Sequence, residues 1–157
     1  MKSVLFVCTA NRYRSPFAAA LFKKWLEEDK KAGEWQVGSA GTWTREGMPV
    51  VPEAFQKAQE FGLDLRQHSS VEVSRELLSR YRLVVVMEVG HKEALHTEFS
   101  DMSERIFLLS EIVDNIVYDI PDPVQAMDDA EEIMNELYAV IQRGYAAIRD
   151  LAEKMFM

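Results

Sequence analysis

The chain carries one cysteine, at position 8, so no disulfide can close within it. Its three histidines stand apart at 68, 91 and 96, without the close Cys/His spacing of a structural zinc site. Neither a metal nor a cofactor is expected. Cations are the scarcer charge: 18 Lys and Arg against 26 Asp and Glu leave a net charge of -8. Duplex binding depends on neutralising phosphates with Lys and Arg, which argues against nucleic acid as the main partner. Apolar runs are far too short to span a bilayer. The one leader-like stretch, VLFV after Lys2, is interrupted by Asn11, Arg12, Arg14 and Pro16. A soluble, cytoplasmic protein without membrane contact is expected. Repeats and low-complexity tracts are missing too, and 157 residues suit one domain, 1–157, around one core.

What is present alternates between two periodicities. Residues 3–7 are continuously apolar, as in a strand buried on both faces of a parallel sheet. Ser15 and Pro16 read as a helix start, with the hydroxyl at or beside the cap and proline at the first helical position. Phe17, Leu21, Phe22, Trp25 and Leu26 follow at helical spacing towards a stop near Gly33. Strands are expected at 35–40, 82–87 and 105–109, and helices at 52–61, 72–79, 90–99 and 126–154. Residues 111–123 read as a long loop. The last helix carries Met127, Met134, Leu137, Ile141, Ile148 and Leu151 on its apolar stripe, with Asp128, Asp129, Glu131 and Glu132 in its first turns, where the dipole favours acid. This alternation predicts an α/β three-layer sandwich, a four-stranded parallel sheet with helices on both faces. Ligands of such sheets bind beyond the carboxyl ends of the strands, where Cys8 sits.

The stretch CTANRYRS therefore joins a strand end to a helix start. Such a loop turns successive backbone N–H groups toward one centre, and the helix adds about half a positive charge. Arg14 contributes a planar fork suited to two phosphate oxygens. This cradle must be locally positive on an acidic chain, which salt permits by screening distant charge beyond about 8 Å. A thiol there is expected to ionise below its free value of about 8.5 and to attack phosphorus held by the cradle. Ser15 is expected to donate a hydrogen bond to the sulfur. A lone cysteine is more often an inert buried residue. Arginine six positions on, serine directly after it, and the flanking strand and helix start argue against coincidence.

Cysteine, five residues, arginine and serine near the N-terminus resemble the signature of the low-molecular-weight protein tyrosine phosphatases, here Cys8, TANRY, Arg14 and Ser15, with Pro16 after it. The resemblance spans the chain through SAGT at 39–42, VVVM at 84–87 with His91 after it, and DIPDP at 119–123. It implies that Cys8, Arg14 and Asp122 are catalytic, with Asp122 of the Asp-Pro pair first the acid for the leaving oxygen and then the base for water. Asp119 is its rival, and either aspartate could instead cap the helix or shape a turn. It also implies that Thr9, Ala10, Asn11, Arg12, Tyr13 and Ser15 hold phosphate or substrate, with phosphotyrosine protein as the partner. No feature names the opposing kinase. Asn11 reads as a brace tolerant of left-handed backbone, while His68 and His91 read as structural.

Several positions depart from the family pattern. Tyr13 stands where many members carry a second cysteine, so oxidised Cys8 would need an external thiol for rescue. Val124 replaces an aromatic residue after Asp-Pro. Trp43 either stacks on the substrate ring or packs on the core surface, and Arg12 either points to solvent or strengthens capture of a dianion or of acidic residues beside the target. A protein arginine phosphatase and a single-cysteine arsenate reductase share the fold. A non-catalytic phosphate-binding module is the alternative of another class, although binding alone requires neither the thiol nor the acid.

Overall fold

The computed structural model describes residues 1–156, and its centre is strand β1 (Lys2–Cys8). This strand pairs in parallel with β2 (Trp35–Gly41) on one side and β3 (Leu83–Val86) on the other, and β4 (Ile106–Leu108) adds beyond β3. The order is β2-β1-β3-β4, so the expected four-stranded parallel sheet is present. Because side chains alternate along a strand, β1 feeds both layers. Val4, Phe6 and Cys8 join one core, while Leu5 and Val7 join the other.

The first core is roofed by α1 (Arg14–Glu28), α2 (Pro52–Glu60), α5 (Leu109–Asp114) and α6 (Ala130–Phe156). Phe17, Leu21, Phe22 and Leu26 of α1, together with Met134, Leu137, Ile141 and Ile148 of α6, bury their side chains there. The second core lies under α3 (Arg75–Ser79) and α4 (Val89–Glu98), through Leu78 and Leu95. Both faces are covered, which is why β1 and β3 read as unbroken apolar runs.

Four local expectations change. Ser15 is not the cap of α1: Tyr13 occupies that position without a side-chain cap, and Pro16 is the third helical residue. The helix also stops before Gly33. Lys30 takes the left-handed conformation at φ 56°, and the Lys31 N–H reaches back to the Leu26 carbonyl at 2.8 Å, a six-residue closure that ends the helix. Part of the expected loop 111–123 is helical, because α5 runs to Asp114 and ends at left-handed Asn115. Its Val113 packs so close to Gly144 of α6 that a β-carbon there would collide with it. Finally, α6 begins at Ala130 after a 3-10 turn at Met127–Asp129, and Met127 lies 51 % exposed instead of on the apolar stripe.

At the carboxyl end of β2, Gly41 meets the loop that follows β1. A β-carbon at this position would strike the Thr9 carbonyl oxygen and approach the Ala10 carbonyl carbon to 3.1 Å, and these backbone atoms have no rotamer by which to yield. Gly41→Ala is therefore expected to displace the loop and lower kcat/KM at least tenfold while leaving most of the core's stability, read by steady-state kinetics beside urea unfolding. Phe22, by contrast, is a core anchor whose ring contacts Phe6, Trp35 and Tyr145 at centroid distances of 5.8, 5.6 and 5.3 Å. Phe22→Ala should cost about 3–5 kcal/mol in the same unfolding measurement.

Candidate active site

The loop from Cys8 to Arg14 closes over the end of the sheet and is tied down on every side. Thr42 and Trp43 donate their N–H groups to the Cys8 and Thr9 carbonyls at 2.9 and 3.0 Å. Val51 does the same to the Arg12 carbonyl at 3.0 Å. Asn11 sits at the turn's apex, fully buried at φ 57°, a conformation asparagine tolerates better than most side chains. Its Oδ1 accepts from the Val71 N–H, so its Nδ2 donates, to Ser15 Oγ at 2.8 Å and Ser39 Oγ at 2.9 Å. The brace expected of Asn11 is thus a four-segment knot.

Ser15 Oγ lies 3.0 Å from Cys8 Sγ and 3.3 Å from the Ala40 carbonyl. Since Asn11 already donates to this oxygen, its single hydrogen is left for the sulfur or the carbonyl.

Arg14 is 2 % exposed, an unusual place for a guanidinium. Its Nη1 donates to Glu88 Oε2 at 2.5 Å and to the Ile120 carbonyl at 2.7 Å, which offsets the cost of burial and fixes the plane of the fork. Glu88, at the carboxyl end of β3, also caps α4 by accepting from the backbone of His91, whose Nδ1 accepts the Glu88 N–H in return. With Nδ1 an acceptor, neutral His91 carries its proton on Nε2 and donates to Thr9 Oγ1 at 2.8 Å. His68 likewise braces the loop, donating from Nε2 to the Asn11 carbonyl at 2.7 Å. Glu88 escaped the sequence reading, although its position directly after the VVVM strand was the available signal.

Cys8, Ala10, Arg12, Tyr13, Arg14 and Asp122 line one narrow cavity of about 120 Å³, completed by Val51 and Val124. Asp122 enters from the loop before α6. Its Oδ1 accepts the Val124 N–H at 2.9 Å, which orients the carboxyl group. Asp119 is tied elsewhere, accepting the Val89 N–H at the start of α4. Tyr13 is buried in the first core, and burial, reinforced by Glu53, pushes its phenol pKa up. Arg12 does not simply project into solvent, because its Nε donates to the Pro49 carbonyl at 2.7 Å. Thr9, Asn11 and Ser15 stand behind the lining as supports. Trp43 is outside the lining and, at 81 % exposure, is not packed on the core either. A larger cleft of about 630 Å³ beside α5 and α6 holds no thiol, hydroxyl or imidazole. Among the described residues no group of three or more His, Cys, Asp and Glu is placed to hold a metal ion, and no helix is long and apolar enough to cross a membrane.

Burial, and then the Arg14 charge, push the His91 pKa down to about 4 against the opposing pull of Glu88, Asp119 and Asp122. An unfolded histidine takes its proton near 6.5, so between these values protons favour the unfolded chain. His91 therefore contributes its full stability above pH 6.5 and loses it progressively as pH falls toward 4. Burial lowers His68 in the same direction. His91→Gln is expected to flatten the decline in unfolding free energy between pH about 7 and about 4.5, measured by urea titration. An unchanged slope would remove His91 from this account.

Comparison with known proteins places the chain within one family. The sequence model described as low molecular weight phosphotyrosine protein phosphatase matches residues 3–155. A protein-arginine-phosphatase of Bacillus subtilis is 31% identical over 142 residues, covering 85% of this chain and 93% of its own. A probable low molecular weight protein-tyrosine-phosphatase, EpsP, of Ralstonia nicotianae is 31% identical over 147 residues, covering 94% of this chain and 93% of its own. Among solved structures, the YwlE arginine phosphatase from Geobacillus stearothermophilus superposes with a TM-score of 0.84 at 28% identity, over 98% of this chain and 97% of that one. From its signature loop to its last helix, the chain belongs to the low molecular weight phosphotyrosine protein phosphatase family.

Proposed function

We propose that this protein hydrolyses phosphotyrosine monoesters of protein substrates through a phosphocysteine intermediate at Cys8, without a metal. The observation that carries the reading is the meeting of Cys8, Arg14 and Asp122 in one narrow cavity at the carboxyl end of β1. Loop amides, the uncapped N-terminus of α1 and the N–H groups of Arg14 not engaged by Glu88 and Ile120 hold the phosphoryl oxygens. Cys8 Sγ attacks phosphorus, the bond to the tyrosyl oxygen breaks, and that oxygen takes a proton from Asp122. The ionised Asp122 then accepts a proton from water as the water oxygen attacks phosphorus. The P–S bond breaks, inorganic phosphate leaves, and Ser15 donates its hydrogen to the departing sulfur.

Asp122 suits the double role better than Asp119, since Asp122 lines the cavity with Cys8 and Asp119 does not. In the absence of an aromatic residue at 124, Val51 and Val124 flank the substrate ring, and the exposed Trp43 offers a further stacking surface outside. A cytoplasmic location belongs to this reading, because the nucleophile must stay reduced and the chain has no second cysteine to protect it. Relatives named as arginine phosphatases make phosphoarginine the second reading. Against it stands Arg12 in the cavity, a cation that repels a guanidinium-bearing substrate.

Turnover of an aryl phosphate in the presence of a chelator is expected, abolished by Cys8→Ser and slowed roughly 10²- to 10⁴-fold by Asp122→Ala. Faster release of phosphate from phosphotyrosine peptides than from phosphoarginine peptides would decide between the two substrates. Full turnover by Cys8→Ser would overturn the mechanism.

A further inference from the structure

We propose that Arg12 selects phosphotyrosines with an acidic residue beside them in the substrate chain. The inference rests on the phosphotyrosine reading and deepens it. Arg12 is the second cation of the cavity, yet the phosphate does not require it: Arg14 already presents a buried, oriented fork at the base. Arg12 is anchored to one neighbouring segment at two points, once through its backbone and once through its side chain. Its carbonyl accepts the Val51 N–H at 3.0 Å, and its own Nε donates to the Pro49 carbonyl at 2.7 Å. That leaves the terminal N–H groups of the guanidinium. Among the described residues they make no hydrogen bond and no ion pair, although the chain carries eight more acidic than basic residues.

Three carboxylates of the segments around the cavity bond other groups. Asp122 is held by the Val124 N–H, Asp119 by the Val89 N–H and Glu88 by Arg14. A partly buried guanidinium that keeps its donors free in an acidic protein, with its position fixed before binding, is a preorganised receptor for an incoming carboxylate. As the tyrosine ring enters between Val51 and Val124, the backbone on either side of it crosses the rim where Arg12 stands. A glutamate or aspartate next to the phosphotyrosine then meets an unpaired cation. A lysine there, or a phosphorylated guanidinium in the cavity, meets like charge.

The test measures kcat/KM for three phosphotyrosine peptides that differ only in carrying glutamate, glutamine or lysine on both sides of the tyrosine. Wild-type protein should favour the glutamate peptide over the glutamine peptide by roughly three- to tenfold, with the lysine peptide slowest and the spread narrowing as salt is raised. Arg12→Gln should bring the glutamate-to-glutamine ratio close to one, and Arg12→Glu should place the lysine peptide first. Ratios taken within one variant do not depend on how much of that variant is correctly folded. Equal rates on all three peptides in wild type, or an unaltered order in Arg12→Glu, would overturn this inference and leave the phosphotyrosine reading standing. No release from any of the three, with release from a phosphoarginine peptide, would overturn both.

Discussion

A guanidinium buried to 2 % exposure needs a reason, and the pairing of Arg14 with Glu88 supplies it. The arginine opens α1, the glutamate follows β3, and the Ile120 carbonyl that completes the set belongs to the loop before α6. One buried charge pair thus draws together three segments that are remote in sequence. Removing Glu88 would leave the Arg14 charge uncompensated in a closed space, so the arginine depends on this partner once the sheet has closed. The cavity is the hollow left between those segments.

Around that pair the polar groups form linked chains in place of isolated contacts. From Arg14 the connections run through Glu88 and His91 to Thr9, returning to the loop that Arg14 itself terminates. From Ser15 they run through Asn11 to Ser39 and Val71, binding the loop to β2 and to the segment before α3. Such networks hold backbone N–H groups in a fixed concavity before any anion arrives, so that little reorganisation remains at the moment of reaction. The left-handed backbone at Asn11 is sustained by these bonds and by the packing of Gly41 against the neighbouring carbonyl.

Much of this was legible in one dimension. The apolar runs at β1 and β3 announced strands covered on both faces, and the spacing of Phe17, Leu21 and Leu26 announced the helix above them. The family signature pointed to Cys8 and Arg14 because its residues carry recognisable chemistry at constant separation, and the Asp-Pro pair of the resembling segment pointed to Asp122. Less legible were the ends of elements, where a lysine rather than a glycine adopts the left-handed stop of α1 and where α5 replaces expected loop. Those outcomes follow from closures and helix contacts, such as Val113 against Gly144, that no local pattern encodes.

What the sequence alone determined is the periodic burial that makes a parallel sheet with two helical layers, and the placing of a thiol, an arginine and a serine where a strand meets a helix. Tertiary structure decided that Asp122, and not Asp119, lines the cavity with Cys8, that Glu88 holds the arginine, that Tyr13 lies in the core and that Arg12 leans on Pro49. The division has a physical cause. Burial pattern and chain-local geometry are properties of neighbouring residues, whereas the partner of a charged side chain is set by segments that meet only after the sheet has closed.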